Sequence, residues 1–133
     1  MSVLIEEFKR EHSEILAILN EVKELGILSK AGQVKLMSIK ASLLEHLWNE
    51  NERIYPVLWK EAEHNKDLKE LLDLFAIEME DVSKVAQQFF NKFHEGTIDK
   101  SFPHEFEAFF AAITKRIKNE EDILYEEYEK IDQ

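Results

Sequence analysis

"HLWNENERIY", residues 46–55, has a counterpart further along the chain, "RIKNEEDILY", residues 116–125. Laid one above the other at an offset of 70 (46 to 116), Asn49 meets Asn119, Glu50 meets Glu120, Ile54 meets Leu124 and Tyr55 meets Tyr125. A second pair of segments repeats in the same order. "EHSEILAIL" from Glu11 and "EMEDVSKVA" from Glu78, offset 67 (11 to 78), place Glu11 with Glu78, Glu14 with Asp81, Ile15 with Val82 and Ile18 with Val85. Two similar offsets in the same order describe a two-segment unit used twice.

The apolar spacing says what the segments are. Leu4, Ile5, Phe8, His12, Ile15, Leu16, Leu19 and Val22 recur at three- and four-residue steps, which is the spacing of one helix face. A first helix is therefore expected from Val3 to Leu25, with Gly26 as a left-handed cap. The second starts near Ser29 to Gln33 and carries Val34, Met37, Ile39, Ala41, Leu43, Leu44, Leu47, Ile54, Val57 and Leu58. Pro56 lacks the amide proton a helix interior needs, and should bend this helix or end its regular part. The third begins at Asn65 or Lys66, with Asn65 as N-cap. Its stripe is Leu68, Leu71, Leu72, Phe75, Val82, Val85, Ala86, Phe89 and Phe93. Gly96 stops it, and Ser101 with Pro103 starts a fourth, carrying Phe106, Phe109, Phe110, Ile113, Ile117, Ile123 and Leu124. Helices of this length on short connections predict an all-α, up-down-up-down antiparallel four-helix bundle, with residues 1–133 as one domain.

Composition agrees and removes several classes of function. Three Gly and two Pro are few for a turn-rich sheet protein, while an apolar content of 44% is enough to build a core. A net charge of −11 speaks against a nucleic-acid partner, whose phosphates call for clustered Lys and Arg. The absence of cysteine removes disulfides, thiolate ligands and thiol nucleophiles, and suits a reducing interior. "MSVLIEEFKREH" turns charged from Glu6 onward, so no signal peptide is expected. No apolar run approaches the ~20 residues of a membrane span. A cytoplasmic protein without a membrane partner is the expectation.

Aligned through the repeat, the first helix pair offers His12, His46 and Glu50, and the second offers Met79, Arg116 and Glu120 at the corresponding places. These residues resemble the hemerythrin-like, or HHE cation-binding, family. Its pattern is "EH" in helix one, "HxxxE" followed by "LYP" or "LFP" in helix two, "EH" in helix three and "HxxxEE" followed by "LY" in helix four. Here the first two motifs stand as Glu11-His12 and as His46, Glu50 and "IYP" at Ile54 to Pro56. The last two stand as Glu78-Met79 and as Arg116, Glu120, Glu121 and Leu124-Tyr125. The resemblance spans nearly the whole chain and implies a non-haem iron site in the bundle core. By that resemblance His12 and His46 are the terminal ligands of one iron, and Glu50 and Glu120 are the bridging carboxylates. The histidines of the other iron are replaced by Met79 and Arg116. One iron per chain is accordingly expected in preference to two, with manganese or zinc as alternatives, since two imidazoles with one or two carboxylates suit all three. Glu78 is a further candidate as a ligand or as a hydrogen-bond acceptor for one.

Arg116 also carries the opposite reading. Two glutamates facing each other in a core are costly unless paired, and a guanidinium that bridges Glu50 and Glu120 would stand in for the metal. His12 and His46 would then be hydrogen-bonded core histidines. His64, His94 and His104 read as surface residues, Met79 as a gap-filling side chain, and Trp48, Trp59, Tyr55, Tyr125 and Tyr128 as packing. Tyr55 and Tyr125, one turn beyond the glutamates, are alternatively donors to the site. Two functions stay open. One is a metal-binding module, for which the resemblance implies oxygen or redox sensing, dioxygen binding or iron handling. The other is a metal-free interaction protein, monomer or homodimer. No phosphate-binding loop or nucleophile set favours an enzyme.

Overall fold

The computed structural model describes residues 2–94 and 100–131. Among these it is helical: α1 spans Val3–Leu25, α2 Lys30–Arg53, α3 Tyr55–Ala62, α4 Lys66–His94, α5 Phe102–Asn119 and α6 Tyr125–Ile131. Between α5 and α6 the residues Glu120–Leu124 form a π-helical turn. The bundle has four rods: α1, α2 continued by α3, α4, and α5 continued through the π-turn into α6. α1 packs along α2 and α4 along α5, as the repeat requires.

The ends of the rods have local causes. Ser2 Oγ accepts the Ile5 amide at 3.4 Å, and Asn65 Oδ1 accepts that of Leu68 at 3.1 Å, so each cap satisfies an amide that the first turn leaves free. Pro56 sits in the first turn of α3, where its missing amide proton costs nothing, and α2 ends at Arg53 just before it. Ser101 precedes α5 but makes no capping bond through its side chain. Gly96 lies outside the described residues.

Gly26 ends α1 with φ 89° and ψ 124°. The positive φ accords with glycine, but ψ is far from the left-handed helical value near +47°, so this is not the expected left-handed helical cap. The turn folds so tightly that a Cβ on Gly32 would lie 2.1 Å from the Gly26 carbonyl oxygen. Alanine at a helix interior ordinarily stabilises by up to ~1 kcal/mol, yet here it would push two backbones apart. Gly32→Ala is expected to destabilise the fold by about 1–3 kcal/mol, read as a lower urea midpoint at unchanged m; an unchanged or raised midpoint would show that the turn gives way freely.

Two apolar clusters fill the interior. One gathers Ile15, Leu19, Leu36, Leu43, Phe109 and Ile113 among others, and the second gathers Ile5, Phe8, Ile54, Phe75, Leu124 and Tyr125. Several expected core positions on α2 are instead exposed: Val34, Met37, Ala41 and Leu44 face outward, and Leu36 is the buried residue. The helix has apolar residues on two faces with the same period, so spacing cannot say which one turns inward. Val57, Val85 and Ile123 are also exposed, and Trp48 and Trp59 are 63% and 39% accessible rather than packed. His64, His94 and His104 are exposed, as expected.

Candidate metal centre

The two clusters are separated by a polar layer. His12 lies between Phe8 and Ile15 on α1, His46 and Glu50 between Leu43 and Ile54 on α2, and Arg116 and Glu120 between Ile113 and Leu124 at the end of α5. All five are at most 4% exposed. α4 contributes Met79, partly buried, and Ser83, which lines the cavity beside the layer, while Glu78 is exposed. One ligand atom from each of His12, His46, Glu50 and Glu120 can be chosen so that all four lie within 4.8 Å of one another. Glu78 is not in this group; its Oε2 is 3.9 Å from Arg116 Nη1 on the solvent side.

Both imidazoles are held from outside. His12 Nδ1 donates to Glu121 Oε2 at 2.8 Å, and His46 Nδ1 donates to Glu11 Oε1 at 2.7 Å. With the proton on Nδ1, each Nε2 presents a lone pair to the interior. Carboxylates behind histidines in this way fix ring orientation and tautomer at metal sites. His12 Nε2 accepts from the Tyr125 hydroxyl at 3.2 Å and is 3.4 Å from Glu120 Oε1. His46 Nε2 lies 2.5 Å from Glu50 Oε1 yet makes no hydrogen bond, nor does either oxygen of Glu50 or Oε2 of Glu120. Glu120 Oε2 faces Arg116 Nε at 3.4 Å, also without a hydrogen bond. His46 Nε2 and the Glu50 oxygens are sealed polar atoms of the kind that is rare and costly without a partner, and a cation beside them would satisfy them. The donor set fits a metal ion.

The charges reinforce this. Burial first, and then the neighbouring charge of Glu120, raises the Glu50 carboxyl well above the usual range. Glu120 is also buried, but His12 and Glu50 beside it and the charge of Arg116 outweigh desolvation and hold it low. Of the two, Glu50 is therefore the one that takes up a proton more readily and Glu120 the one that holds its negative charge, in the manner of close carboxylates. Burial likewise pushes the phenols of Tyr55 and Tyr125 up, so both stay protonated donors.

Arg116 does not bridge the two glutamates, contrary to the expected clamp. Its Nε is 3.4 Å from Glu120 Oε2, while Nη1 donates to the Phe75 carbonyl at 3.1 Å and Nη2 to the Tyr55 hydroxyl at 2.6 Å. The guanidinium carbon lies 4.9 Å from the centre of the Phe75 ring. The other nitrogens are held by the Phe75 carbonyl, the Tyr55 hydroxyl and, on the solvent side, Glu78, so only Nε faces a carboxylate of the buried layer. Between Arg116, Met79 and the His and Glu groups is a cavity of about 30 Å³, walled by Ile15, Leu43, Val82 and Ile113. That is room for an ion and a water or two.

The description of the Hemerythrin HHE cation binding domain matches residues 3–128. The chain belongs to the hemerythrin HHE cation-binding family. Neither the curated proteins nor the solved structures yield a match. Set in this hemerythrin-like frame, the residues that sequence spacing left without a role are Glu11 and Glu121. Their signal was adjacency: one directly precedes His12, the other directly follows Glu120. Tyr55 and Tyr125, read chiefly as packing, both reach the polar layer through their hydroxyls.

Proposed function

We propose that this hemerythrin-like protein holds one metal ion, iron in preference to manganese or zinc, at His12, His46, Glu50 and Glu120, and that it serves oxygen or redox sensing or iron handling in the cytoplasm rather than catalysis. The observation that carries this reading is the buried group of His12, His46, Glu50 and Glu120, which can bring one ligand atom each to within 4.8 Å of one another, with His46 Nε2 and both oxygens of Glu50 making no hydrogen bond. On the side of Met79 and Arg116 no second imidazole pair exists, and a guanidinium already supplies positive charge there. A cavity of about 30 Å³ admits an ion and a diatomic or water-sized ligand, too small for an organic substrate. Bound iron would supply a redox-active centre; the chain's own contribution is to orient two imidazoles, present the Glu50 and Glu120 carboxyls and keep bulk water out.

Elemental analysis tests this on protein expressed with added iron and purified without chelator or metal-affinity resin. About one iron per chain is expected, by analogy with other buried His and carboxylate sites. None in a folded protein would favour the second reading, a metal-free interaction protein in which Arg116 balances Glu120; the observation behind that reading is their 3.4 Å approach.

Loading should also displace the proton on Glu50. Its raised pKa means that cation and proton compete, so affinity is expected to rise with pH and proton release to accompany loading. Titration calorimetry in buffers of different ionisation enthalpy reads this directly, and no release would place the proton elsewhere. In the metal-free protein the sign follows from the same shift. The folded state keeps Glu50's proton where the unfolded chain, with an ordinary pKa of 4.5, has lost it. This group's stabilisation is therefore full below about pH 4.5 and is lost as pH climbs through its folded pKa.

A further inference from the structure

The outer face of α2 carries Val34, Met37, Leu44 and Trp48, exposed by 63, 46, 57 and 63%, with Ala41 exposed among them. The steps are three, four, three and four residues, the seam spacing of a two-helix coiled coil. The stripe is about 21 Å long at the helical rise and lies opposite the face that buries Leu36, Ile39, Leu43, His46 and Glu50.

The internal repeat supplies a control within the same chain. At the offset of 70 (46 to 116), the five core residues fall on Phe106, Phe109, Ile113, Arg116 and Glu120, every one buried. The five outer residues fall on His104, Glu107, Ala111, Thr114 and Lys118, every one exposed. The register is therefore right, and a polar outer face serves α5 at the equivalent positions. The bundle does not need the stripe on α2, which leaves a contact outside the bundle as its use.

We propose that the outer face of α2 is a homodimer interface, with two copies of this chain packing α2 against α2 antiparallel about a twofold axis near Ala41. The charges along the helix select this occupant. Lys30 and Lys35 lie in its N-terminal half and exposed Glu45 and Glu52 in its C-terminal half, with Lys40 beside the axis and Arg53 at the last residue. Lys35 and Lys40 also touch their own chain, at Glu21 (3.1 Å) and His94 (2.7 Å). A reversed copy of the same helix sets lysines beside glutamates at both ends, whereas a parallel copy would stack like on like. Such self-complementarity is what a twofold interface demands. Ala41 at the centre lets the two backbones approach, and each Trp48, a residue type enriched at interfaces, covers about 150–250 Å² of surface when buried. The interface lies on the opposite side of α2 from the His and Glu groups and does not depend on their loading.

Sedimentation velocity of the full chain over a concentration series tests the proposal. The expected species is a dimer of 15.7 kDa chains, and Leu44→Glu and Trp48→Ala are each expected to weaken it tenfold or more with unchanged far-UV circular dichroism. Because the chain has no cysteine, single replacements report geometry even if those variants fold poorly. Under oxidation Ala41→Cys should crosslink into a dimer, and Val34→Cys, whose symmetry mates lie about 21 Å apart along the axis, should not. A monomer at every concentration, an assembly indifferent to both substitutions, or crosslinking at 34 in place of 41 would overturn it.

Discussion

His46→Ala is expected to lower bound metal from about one per chain to near zero while the far-UV spectrum stays close to that of the parent. The imidazole is 3% exposed, its Nδ1 is tied to Glu11 at 2.7 Å, and its Nε2 is one of the partnerless atoms of the polar layer. Removal takes away one of only two nitrogen donors and opens a void beside Glu50, whose carboxyl, already pushed toward the neutral form by burial, then has less reason to ionise. Both effects act against a cation. The helices themselves rest on the apolar clusters on either side, so loss of metal and loss of fold should separate. Elemental analysis with circular dichroism checks this, and unchanged metal content in the folded variant would sink the assignment of His46.

Arg116→Ala is expected to destabilise the metal-free protein by about 3–5 kcal/mol, the usual consequence of stripping one partner from a buried charge pair. Three losses combine: the positive edge facing Glu120, the bonds to the Phe75 carbonyl and the Tyr55 hydroxyl, and the contact with the Phe75 ring. Glu120, held low partly by Arg116, would have to take up a proton or stay buried as an uncompensated charge. The same substitution should cost less in the metal-loaded protein, because a cation beside Glu120 replaces what the guanidinium gave. Urea unfolding with and without metal measures the difference. An unchanged midpoint in the metal-free form would mean that Arg116 contributes no net stabilising charge.

Much of the fold and of the polar layer is legible in the amino-acid sequence. The boundaries of α1, the Asn65 cap and the break before Pro56 follow from local chemistry that depends only on neighbouring residues. The internal repeat aligns Glu50 with Glu120 and His46 with Arg116, and all four are indeed buried in one layer. Orientation is what spacing leaves open. On α2 two apolar stripes share one period, and the stripe of Val34, Met37 and Leu44 faces solvent while Leu36 is buried. The charges of Arg116, Glu50 and Glu120 suggest a guanidinium spanning two carboxylates, but the Phe75 carbonyl and the Tyr55 hydroxyl hold its other nitrogens.

The sequence by itself determined the four rods and their order, the family pattern, and which residue types could meet in the core, because periodicity and capping are properties of short stretches of chain; the π-turn at Glu120–Leu124 was not among them. Only the tertiary structure decided which face of α2 turned inward, that Glu11 and Glu121 stand behind the imidazoles, and that Glu78 stays outside on the solvent side. Those depend on how four rods rotate against one another, and a rotation about a helix axis leaves every local spacing unchanged.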